Sequence, residues 1–389
     1  MKILTFTTLY PNARQPHHGI FVENRLRRIV SGGGASARVV APVPWFPFRA
    51  KAFGRYAILA EVPVEENRFG IKIFHPRYLV IPKLGMSAAP FLLFASAQSM
   101  IRRIIRSGYD FDLIDAHYFY PDGVAAVLLG RRFRKPVAIT GRGTDINLIP
   151  RHLLPRRMIR WAARNAAGLI TVCQALKDAL AAIGVEPGRV QVLRNGVDLE
   201  LFKPVDREAV RTQLGLEPPV LLSVGHLIGP KGHDLVIRAL SKLPGATLLI
   251  VGEGPEEPAL KRLANRRGLN NRVRFLGSVA HERMHEIYSA ADALVLASER
   301  EGWPNVLLEA MASGTPVVAA NIGGTPEVVT APAAGVLIPD RTAEAIAASV
   351  RALLASPPSR ADTRAYAERF GWDETRQGTI DLFRNILDR

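Results

Sequence analysis

The feature that most limits the possible folds is a regular alternation of short β-branched runs with helical patterns along most of the 389 residues. Such alternation is typical of βαβ units, whose strands form a parallel sheet covered by helices. A chain of this length is too long for a single hydrophobic core and is typical of two domains. The runs that predict strands are 2–8, 37–41, 113–116, 136–140, 168–172, 190–193, 220–224, 246–251, 273–276, 293–297, 316–319 and 335–338.

A turn-rich stretch separates two halves of similar style. Asn195-Gly196 readily takes positive φ, and Pro218-Pro219 precedes the next strand run. We therefore predict two Rossmann-like domains, 1–200 and 201–365, with parallel sheets that face a central cleft at the carboxyl ends of their strands. The last segment, 366–389, has helical spacing and is predicted to return to the first domain.

The chain is strongly basic, with 51 basic and 35 acidic residues and a formal charge of +16. A field of this sign attracts polyanions such as nucleic acid, anionic lipid or phosphorylated substrates, although a general arginine bias of the source would give the same composition. The arginines from 151 to 164 interleave with apolar residues, which is the pattern of a basic amphipathic helix on an anionic membrane surface. They are Arg151, Arg156, Arg157, Arg160 and Arg164.

Other bulk features bear on the compartment. Cys173 is the single cysteine, so an internal disulfide is excluded and a reducing compartment is favoured. The uncharged run 84–101 contains Pro90 and several polar residues, which favours a buried or surface-docking helix over a membrane span. We expect a cytoplasmic protein that is peripheral on the inner face of the cytoplasmic membrane.

The segment 301–316 carries the most informative pattern, E-G-W-P-N-V-L-L-E-A-M-A-S-G-T-P. Pro304 is a favourable first helical residue, and Gly314 is a favourable stop. The free N–H groups at Asn305, Val306 and Leu307 would then form an anion site at a helix N-terminus. Carboxylates at 301 and 309 suit the hydroxyl groups of a sugar nucleotide, because each accepts two hydrogen bonds.

Three further turns follow predicted strands in the same half. The first, from Gly225 to Gly232, includes His226 and Lys231, and a glycine-rich turn with a lysine suits a diphosphate and neutralises it as it leaves. It is not a P-loop, because the G-x-x-x-x-G-K-[ST] spacing is absent. The others are the turn at Gly252 and the G-G-T-P-E turn at 323–327. Each alone is an ordinary turn, whereas four in one domain indicate a nucleotide diphosphate site.

These motifs resemble the family 4 glycosyltransferases, retaining enzymes of the GT-B fold, over nearly the whole chain. The most specific part is E-x7-E at Glu301 and Glu309. The resemblance implies that Glu301 binds the donor sugar, Glu309 the ribose and Lys231 the diphosphate, while 277–279, from Gly277 to Val279, line the base pocket. The family usually has arginine where this chain has His226.

In the first half, the Y-P…H-H-G-I-F-V-E segment resembles the opening of a subset that builds cell-surface polysaccharides. The resemblance implies that the backbone of Gly19 approaches the phosphates and that His117 lies beside the donor sugar. Arg142 and Asp145, in the G-R-G-T-D turn, are candidates for acceptor contacts. The acceptor is predicted to be a glycan or a lipid-linked molecule.

The resemblance also implies that no cofactor or metal is needed. The D-x-D at Asp110 and Asp112 precedes a first-half strand, far in sequence from the nucleotide turns. Since no carboxylate is clearly placed as a nucleophile, same-face substitution is favoured over a covalent intermediate. Two alternatives stay open: a nucleotide-sugar epimerase or hydrolase on the same scaffold, and a basic nucleic-acid-binding protein. The second is disfavoured because aromatic residues rarely interleave with the basic patches.

Overall fold

The structure is a computed structural model that describes residues 1–45, 55–80 and 85–388. The chain divides into two compact units. Unit 1 comprises Met1–Asn195 together with Asp373–Arg389, and unit 2 comprises Gly196–Trp372. The chain therefore leaves unit 1 once and returns to it for its last helix.

Unit 1 is built on an eight-stranded sheet in the order β10-β9-β8-β7-β1-β2-β5-β4, accompanied by a two-stranded ladder of β3 and β6. All pairings in the large sheet are parallel except β4 with β5. The strands are β1 (Lys2–Phe6), β2 (Ser36–Val40), β3 (Val43–Pro44), β4 (Glu65–Arg68), β5 (Ile71–Phe74), β6 (Arg77–Tyr78), β7 (Leu113–His117), β8 (Val137–Gly141), β9 (Gly168–Thr171) and β10 (Val190–Val192). The helices are α1 (Ile20–Ser31), α2 (Arg55–Ala60), α3 (Gly85–Arg106), α4 (Val124–Phe133), α5 (Thr144–Asn147), α6 (Leu153–Asn165) and α7 (Gln174–Ala182).

Unit 2 is a six-stranded, fully parallel sheet in the order β13-β12-β11-β14-β15-β16. Numbered within the unit this is 3-2-1-4-5-6, the order of a dinucleotide-binding Rossmann sheet. The strands are β11 (Val220–Val224), β12 (Thr247–Val251), β13 (Val273–Gly277), β14 (Ala293–Leu296), β15 (Val317–Ala320) and β16 (Gly335–Ile338). The helices are α8 (Arg207–Leu214), α9 (His233–Leu240), α10 (Glu257–Arg266), α11 (Met284–Ala290), α12 (Asn305–Ala312), α13 (Thr325–Val328), α14 (Ala343–Ala355) and α15 (Arg360–Glu368).

The last helix, α16 (Asp373–Leu387), belongs to unit 1. Its buried side chains include Thr375, Thr379, Phe383 and Ile386. Phe383 and Ile386 join a core cluster with residues of β1, α1, β7 and β8. The helix is therefore an integral part of the hydrophobic core of unit 1.

The predicted strands are present in the structure, and several of them begin or end one or two residues away from the predicted bounds. Each of the twelve predicted runs overlaps a strand. Nine of these strands are central, and central parallel strands are buried on both faces and therefore continuously apolar. The sequence did not predict β3, β4, β5 or β6. The β4 segment is Glu-Glu-Asn-Arg, whose composition disfavours a strand, and pairing with β5 at the sheet edge overrides that preference.

The apolar run that ends at Ile101 lies in α3, apart from Leu84, which is outside the described residues. Leu93, Ala97 and Ile101 are buried, whereas Met86 and Phe91 are exposed. Across the described ranges, no helix combines the length and the apolar character that a membrane crossing requires.

Candidate active site

Lys231, Glu301 and Glu309 follow β11 and β14, the two strands between which the strand order of unit 2 reverses. In doubly wound sheets ligands bind at the carboxyl ends of the strands beside such a switch point. Three other predicted donor residues lie at or just after the ends of β12 and β13: Gly252, Gly277 and Val279. Lys231 ends the short 3-10 turn 229–231 after β11, and Glu301 lies in the loop after β14. Lys231 Nζ and Glu301 Oε1 are 2.6 Å apart. The fold thus brings together two residues that the sequence selected from separate motifs.

The neighbouring turns pack backbone against backbone. The N–H of Gly252, after β12, donates to the carbonyl of Gly277 at 2.8 Å. Gly252 has a φ of 135°, and a Cβ there would lie 2.0 Å from the carbonyl oxygen of Gly225. No side chain fits, so glycine is required for the turns after β11 and β12 to touch. His226 is exposed on this surface, and Val279 is half-buried just after β13.

His233 lies beneath the β11 turn and was missed from the sequence. Its ring is buried, and Nδ1 is 2.9 Å from Ser223 Oγ. Burial, with the charge of Lys231, lowers the pKa of His233 to about 4, so the ring is neutral near pH 7. A histidine directly after Lys-Gly, where a strand passes into a helix, is the signal that could have found it. It supports the turn that carries Lys231.

Glu309 lies on α12, with its side chain half-buried. It accepts a hydrogen bond from the hydroxyl of the buried Tyr288 at 2.8 Å, and burial raises the pKa of Glu309. Tyr288 therefore fixes the position of the carboxyl group predicted to bind ribose.

The start of α12 differs from the prediction. Pro304 precedes the helix with a ψ of 86°, so the first helical residue is Asn305. The N–H groups of Asn305 and Leu307, predicted to be free for an anion, donate to the carbonyls of Trp303 and Pro304 at 3.0 Å each. The non-helical ψ of Pro304 turns these carbonyls toward the first turn. Val306 is half-buried at the same end.

His117 is the last residue of β7, beside the switch point of unit 1 between β7 and β1. Its ring is buried, with Nε2 3.2 Å from Asp115 Oδ2 and Nδ1 2.8 Å from Arg142 Nη2. Arginine can only donate, so Nδ1 accepts and Nε2–H donates to the carboxylate. Burial lowers the pKa of His117 to about 4. The ring is thus a neutral, fixed tautomer near pH 7.

The G-R-G-T-D turn is held by its own aspartate. Asp145 is buried, and its carboxylate accepts from the N–H groups of Phe119, Arg142 and Gly143 at 2.7, 3.1 and 2.8 Å. Arg142 is buried as well and donates to Asn195 Oδ1 at 2.9 Å. These bonds leave the Asp145 side chain a positioning role in the turn, whereas Arg142 joins the turn to His117.

Gly19 caps the start of α1 with a φ of 72°. A Cβ at this position would lie 2.4 Å from the carbonyl carbon and oxygen of Leu9. The loop after β1 folds back on the helix only with glycine here. This close approach supplies a structural reason for a residue that the sequence assigned to the phosphates.

Comparison with known proteins decides the family. The sequence matches the family described as Glycosyl transferases group 1 over residues 206–370 and the one described as Glycosyltransferase Family 4 over residues 60–201. The chain belongs to the family 4 glycosyltransferases. The match of unit 2 covers the turns, the Lys231–Glu301 pair and Glu309.

Similar proteins include two enzymes named D-inositol 3-phosphate glycosyltransferase. The one from Rhodococcus erythropolis is 29% identical over 364 residues, which are 85% of this chain and 81% of that protein. The one from Mycobacteroides abscessus is 37% identical over 213 residues, 52% of this chain and 48% of that protein, so the chain spans about half the length of this relative. The crystal structure of Anabaena HepE in complex with UDP has a TM-score of 0.75 at 23% identity, covering 99% of this chain and 100% of that chain. The predicted fold, two Rossmann-like domains of the GT-B type, is confirmed.

Several residues around the site of this family 4 glycosyltransferase were not predicted. Asp115 and Arg25 surround His117, and Tyr118 follows it with a φ of 79°. A bulky residue in this region is strained, and such strain is concentrated at functional sites. Nothing in the local sequence signals the role of Arg25, because its contacts join residues about ninety positions apart. Asp115 could have been found, since residues two apart on a strand lie on the same face as each other.

The two aspartates of the D-x-D motif have separate partners within unit 1. Asp110 pairs with Lys135 at 2.8 Å, and Asp112 accepts from the N–H of Lys2 at 2.7 Å. Within the ranges that the structure describes, no group of three or more histidine, cysteine or acidic side chains is arranged to hold a metal ion.

Asp122 is a further buried carboxyl group near the switch point of unit 1. It accepts from the N–H and the hydroxyl of Thr8 at 2.7 and 3.0 Å. Burial raises its pKa from 3.8 to about 7 in spite of these bonds. Because the folded state holds the proton more tightly than the unfolded state, this group costs stability as the pH rises through that window.

We expect Asp122→Asn to be more stable than wild type at pH 8, by about 1–3 kcal/mol, with the gain shrinking toward pH 4. Asparagine has no charge to bury, and its amide can accept from the Thr8 N–H and donate to the Thr8 hydroxyl. Urea denaturation at pH 5 and pH 8 measures the difference. Asp112→Asn is the control, since it also accepts a backbone N–H but is only half-buried. An equal gain in both variants would contradict the explanation.

Proposed function

We propose that this chain transfers a glycosyl group, with retained anomeric configuration, from a nucleoside-diphosphate sugar to a glycan or lipid-linked acceptor in cell-surface polysaccharide synthesis. The observation that carries the proposal is the contact of Lys231 with Glu301 at the switch point of unit 2. A lysine and a carboxylate on adjacent turns offer one group to a diphosphate and the other to sugar hydroxyls. The half-buried Glu309 adds a carboxyl group for the ribose.

In the proposed reaction, Lys231 stabilises the negative charge that develops on the leaving diphosphate. The bond between the anomeric carbon and the β-phosphate oxygen breaks while the acceptor oxygen bonds to the same face of that carbon. The acceptor proton passes to the leaving phosphate. Donor binding replaces the Lys231–Glu301 contact, because each group gains a partner on the donor. No metal is needed in this scheme, since Lys231 carries the neutralising charge.

Unit 1 supplies a neutral histidine and a buried arginine to the proposed reaction. Burial and, to a smaller extent, the like charge of Arg25 lower the pKa of Arg142 to about 9. The opposite charge of Asp115 offsets only part of this change. A charged guanidinium that is shielded from water is stabilised by a nearby anion. Arg142 therefore suits an acceptor that carries phosphate. The relatives named for D-inositol 3-phosphate make this class a reasonable first choice.

A donor panel tests the proposal. Since HepE was crystallised with UDP and with UDP-glucose, the panel begins with UDP-sugars and continues with GDP-, ADP- and dTDP-sugars. Nucleoside diphosphate release and donor consumption are both scored with no acceptor, with D-inositol 3-phosphate and with polyprenyl-linked sugars. Acceptor-dependent release supports glycosyl transfer. Equal donor consumption without any acceptor would favour the hydrolase or epimerase alternative, and no consumption of any donor would overturn the proposal.

The membrane part of the proposal rests on the exposed face of α6. Leu153 and Leu154 are exposed, and Arg156 and Arg157 are exposed beside them. Arg160, predicted to belong to the same face, is half-buried, so it presents less of its side chain than Arg156 and Arg157. Apolar tips with flanking arginines suit the boundary between headgroups and acyl chains.

We expect Arg156→Glu/Arg157→Glu to reduce binding to vesicles of anionic phospholipid by at least tenfold, because each basic residue near such a surface contributes about 1 kcal/mol. Cosedimentation at low salt measures the effect. The matched control is Arg266→Glu/Arg267→Glu, an exposed adjacent pair at the end of α10. Equal losses of binding in both double variants would mean that the net charge of the protein, and not the position of these arginines, determines binding. No loss in Arg156→Glu/Arg157→Glu would show that α6 does not contact the vesicle surface.

A further inference from the structure

A chain of polar contacts runs from α16 to the ring of His117. Thr379 donates its hydroxyl hydrogen to the carbonyl of Thr375 at 2.7 Å, which leaves its oxygen to accept from Arg25 Nη2 at 3.2 Å. Arg25 Nη1 lies 3.4 Å from Asp115 Oδ2, the same oxygen that His117 Nε2 contacts at 3.2 Å. Four side chains from α16, α1 and β7 are thereby connected.

These side chains are buried, so water cannot replace a hydrogen bond that one of them loses. Thr379 has no exposed surface, Asp115 is 1% exposed and Arg25 is 2% exposed. A buried guanidinium has no water to replace a lost acceptor, so its orientation is set by the acceptors that the fold provides. Arg25 has three hydroxyl or carboxylate acceptors: Thr379, Asp115 and Thr140. Of these three acceptors, Thr379 is the one that holds the Arg25 guanidinium toward α16 and away from the His117 ring.

We propose that Thr379 is a positioning residue for His117 and acts through Arg25 and Asp115. With the Thr379 oxygen in place, Arg25 directs Nη1 at the Asp115 oxygen that accepts from His117 Nε2–H, so the ring keeps one tautomer and one orientation. Without it, the guanidinium turns toward Thr140 and His117, where Nη1 already lies 3.4 and 3.5 Å away, and the Asp115–His117 bond loses its support. The role in catalysis rests on the proposed function, whereas the effect on the ring does not.

The test compares two threonines of one helix. Thr379→Val removes the acceptor with almost no change of shape, and Thr379→Ser retains it. Thr375→Val is the matched control, because Thr375 is also buried on α16 but its hydroxyl donates to the carbonyl of Arg194, outside the chain of contacts. A purely structural role would make the two valine variants alike.

The primary measurement needs no ligand. In ¹⁵N-histidine spectra of the full chain, which has nine histidines, the His117 signals are identified by their absence in His117→Gln. A fixed neutral tautomer has widely separated ring nitrogen shifts, and averaging draws them together. We expect convergence in Thr379→Val but not in Thr379→Ser or Thr375→Val. Unchanged His117 signals in Thr379→Val, or an equal change in Thr375→Val, would overturn the proposal.

Turnover provides the second measurement, with the donor that the panel identifies or with UDP-glucose hydrolysis as the probe. We expect Thr379→Val to lower kcat about tenfold with little change in donor KM, and the two valine variants to have similar melting temperatures. Thr379→Ala removes the same acceptor if the valine variant does not fold. A tautomer change without any loss of kcat would overturn the catalytic step of the proposal, while absence of turnover in wild type would sink only the proposed function.

Discussion

Lys231→Ala is expected to lower kcat by about 10²–10³-fold with the donor that wild type uses, because a charge placed on the developing diphosphate is lost at the moment of bond cleavage. The ammonium of Lys231 is also the partner of Glu301 at 2.6 Å, so the variant releases the Glu301 carboxylate as well. Lys231→Arg retains the charge in a longer and flatter group and should recover part of the loss. Release of the nucleoside diphosphate under saturating donor measures these changes.

The control is Lys242→Ala in the same unit. Lys242 is exposed and pairs with Glu344 at 3.1 Å. It lies between the end of α9 and the start of β12, at the amino ends of the strands and so at the opposite edge of the sheet from the nucleotide turns. Its loss should therefore leave turnover within about twofold of wild type. Full activity in Lys231→Ala would remove the donor assignment of the β11 turn, and with it the central observation behind the proposed function.

Asp115→Asn is expected to destabilise unit 1 by about 3–5 kcal/mol, since it removes a buried charge opposite Arg25 and next to His117. Burial alone would raise the pKa of Asp115, but His117 and Arg25 hold it at about 2. This carboxylate therefore contributes its full stability above pH 4 and loses it as the pH falls toward 2. The variant should lose most of that acid dependence.

Hydrogen exchange resolved by peptide locates the effect. Faster exchange is expected in the strands of unit 1, with unit 2 unchanged at moderate denaturant. Asp110→Asn serves for comparison, because Asp110 is exposed and its pair with Lys135 contributes about 0–1 kcal/mol. Equal protection in both variants would mean that the buried carboxylate is not needed to hold Arg25 and Arg142 in place.

Some of this molecule could be predicted from sequence, for a physical reason. Nine of the twelve predicted strands are central, and they are apolar because central parallel strands are covered on both faces. Lys231 and Glu301 lie in turns whose glycines and prolines mark strand ends, and Glu309 lies in the helix that follows the second of these turns. The edge strand β4 escaped, because Glu65 to Arg68 form a strand only by pairing with β5. The helix start at Asn305 instead of Pro304 reflects a backbone angle that composition does not fix.

Of the side chains around His117, Arg142 was selected from the sequence, but its contact with the histidine and the roles of Arg25 and Thr379 were not. Arg25 and Thr379 are 354 positions apart in the chain, and each looks like an ordinary residue of an amphipathic helix. Their importance comes from burial, which turns a common arginine and a common threonine into groups with few possible partners. Similarly, Tyr288 belongs to an unremarkable helix segment, and only the packed structure places it against Glu309.

The return of α16 to unit 1 has a consequence for biosynthesis. The ribosome releases Gly196–Trp372 as one uninterrupted segment, whereas unit 1 lacks Thr379, Phe383 and Ile386 until α16 has been made. Unit 2 can therefore complete its hydrophobic core while the core of unit 1 still lacks the side chains of α16. A nascent chain stopped before residue 373 would expose apolar surface on unit 1, so quality control of truncated products falls on the half that was synthesised first.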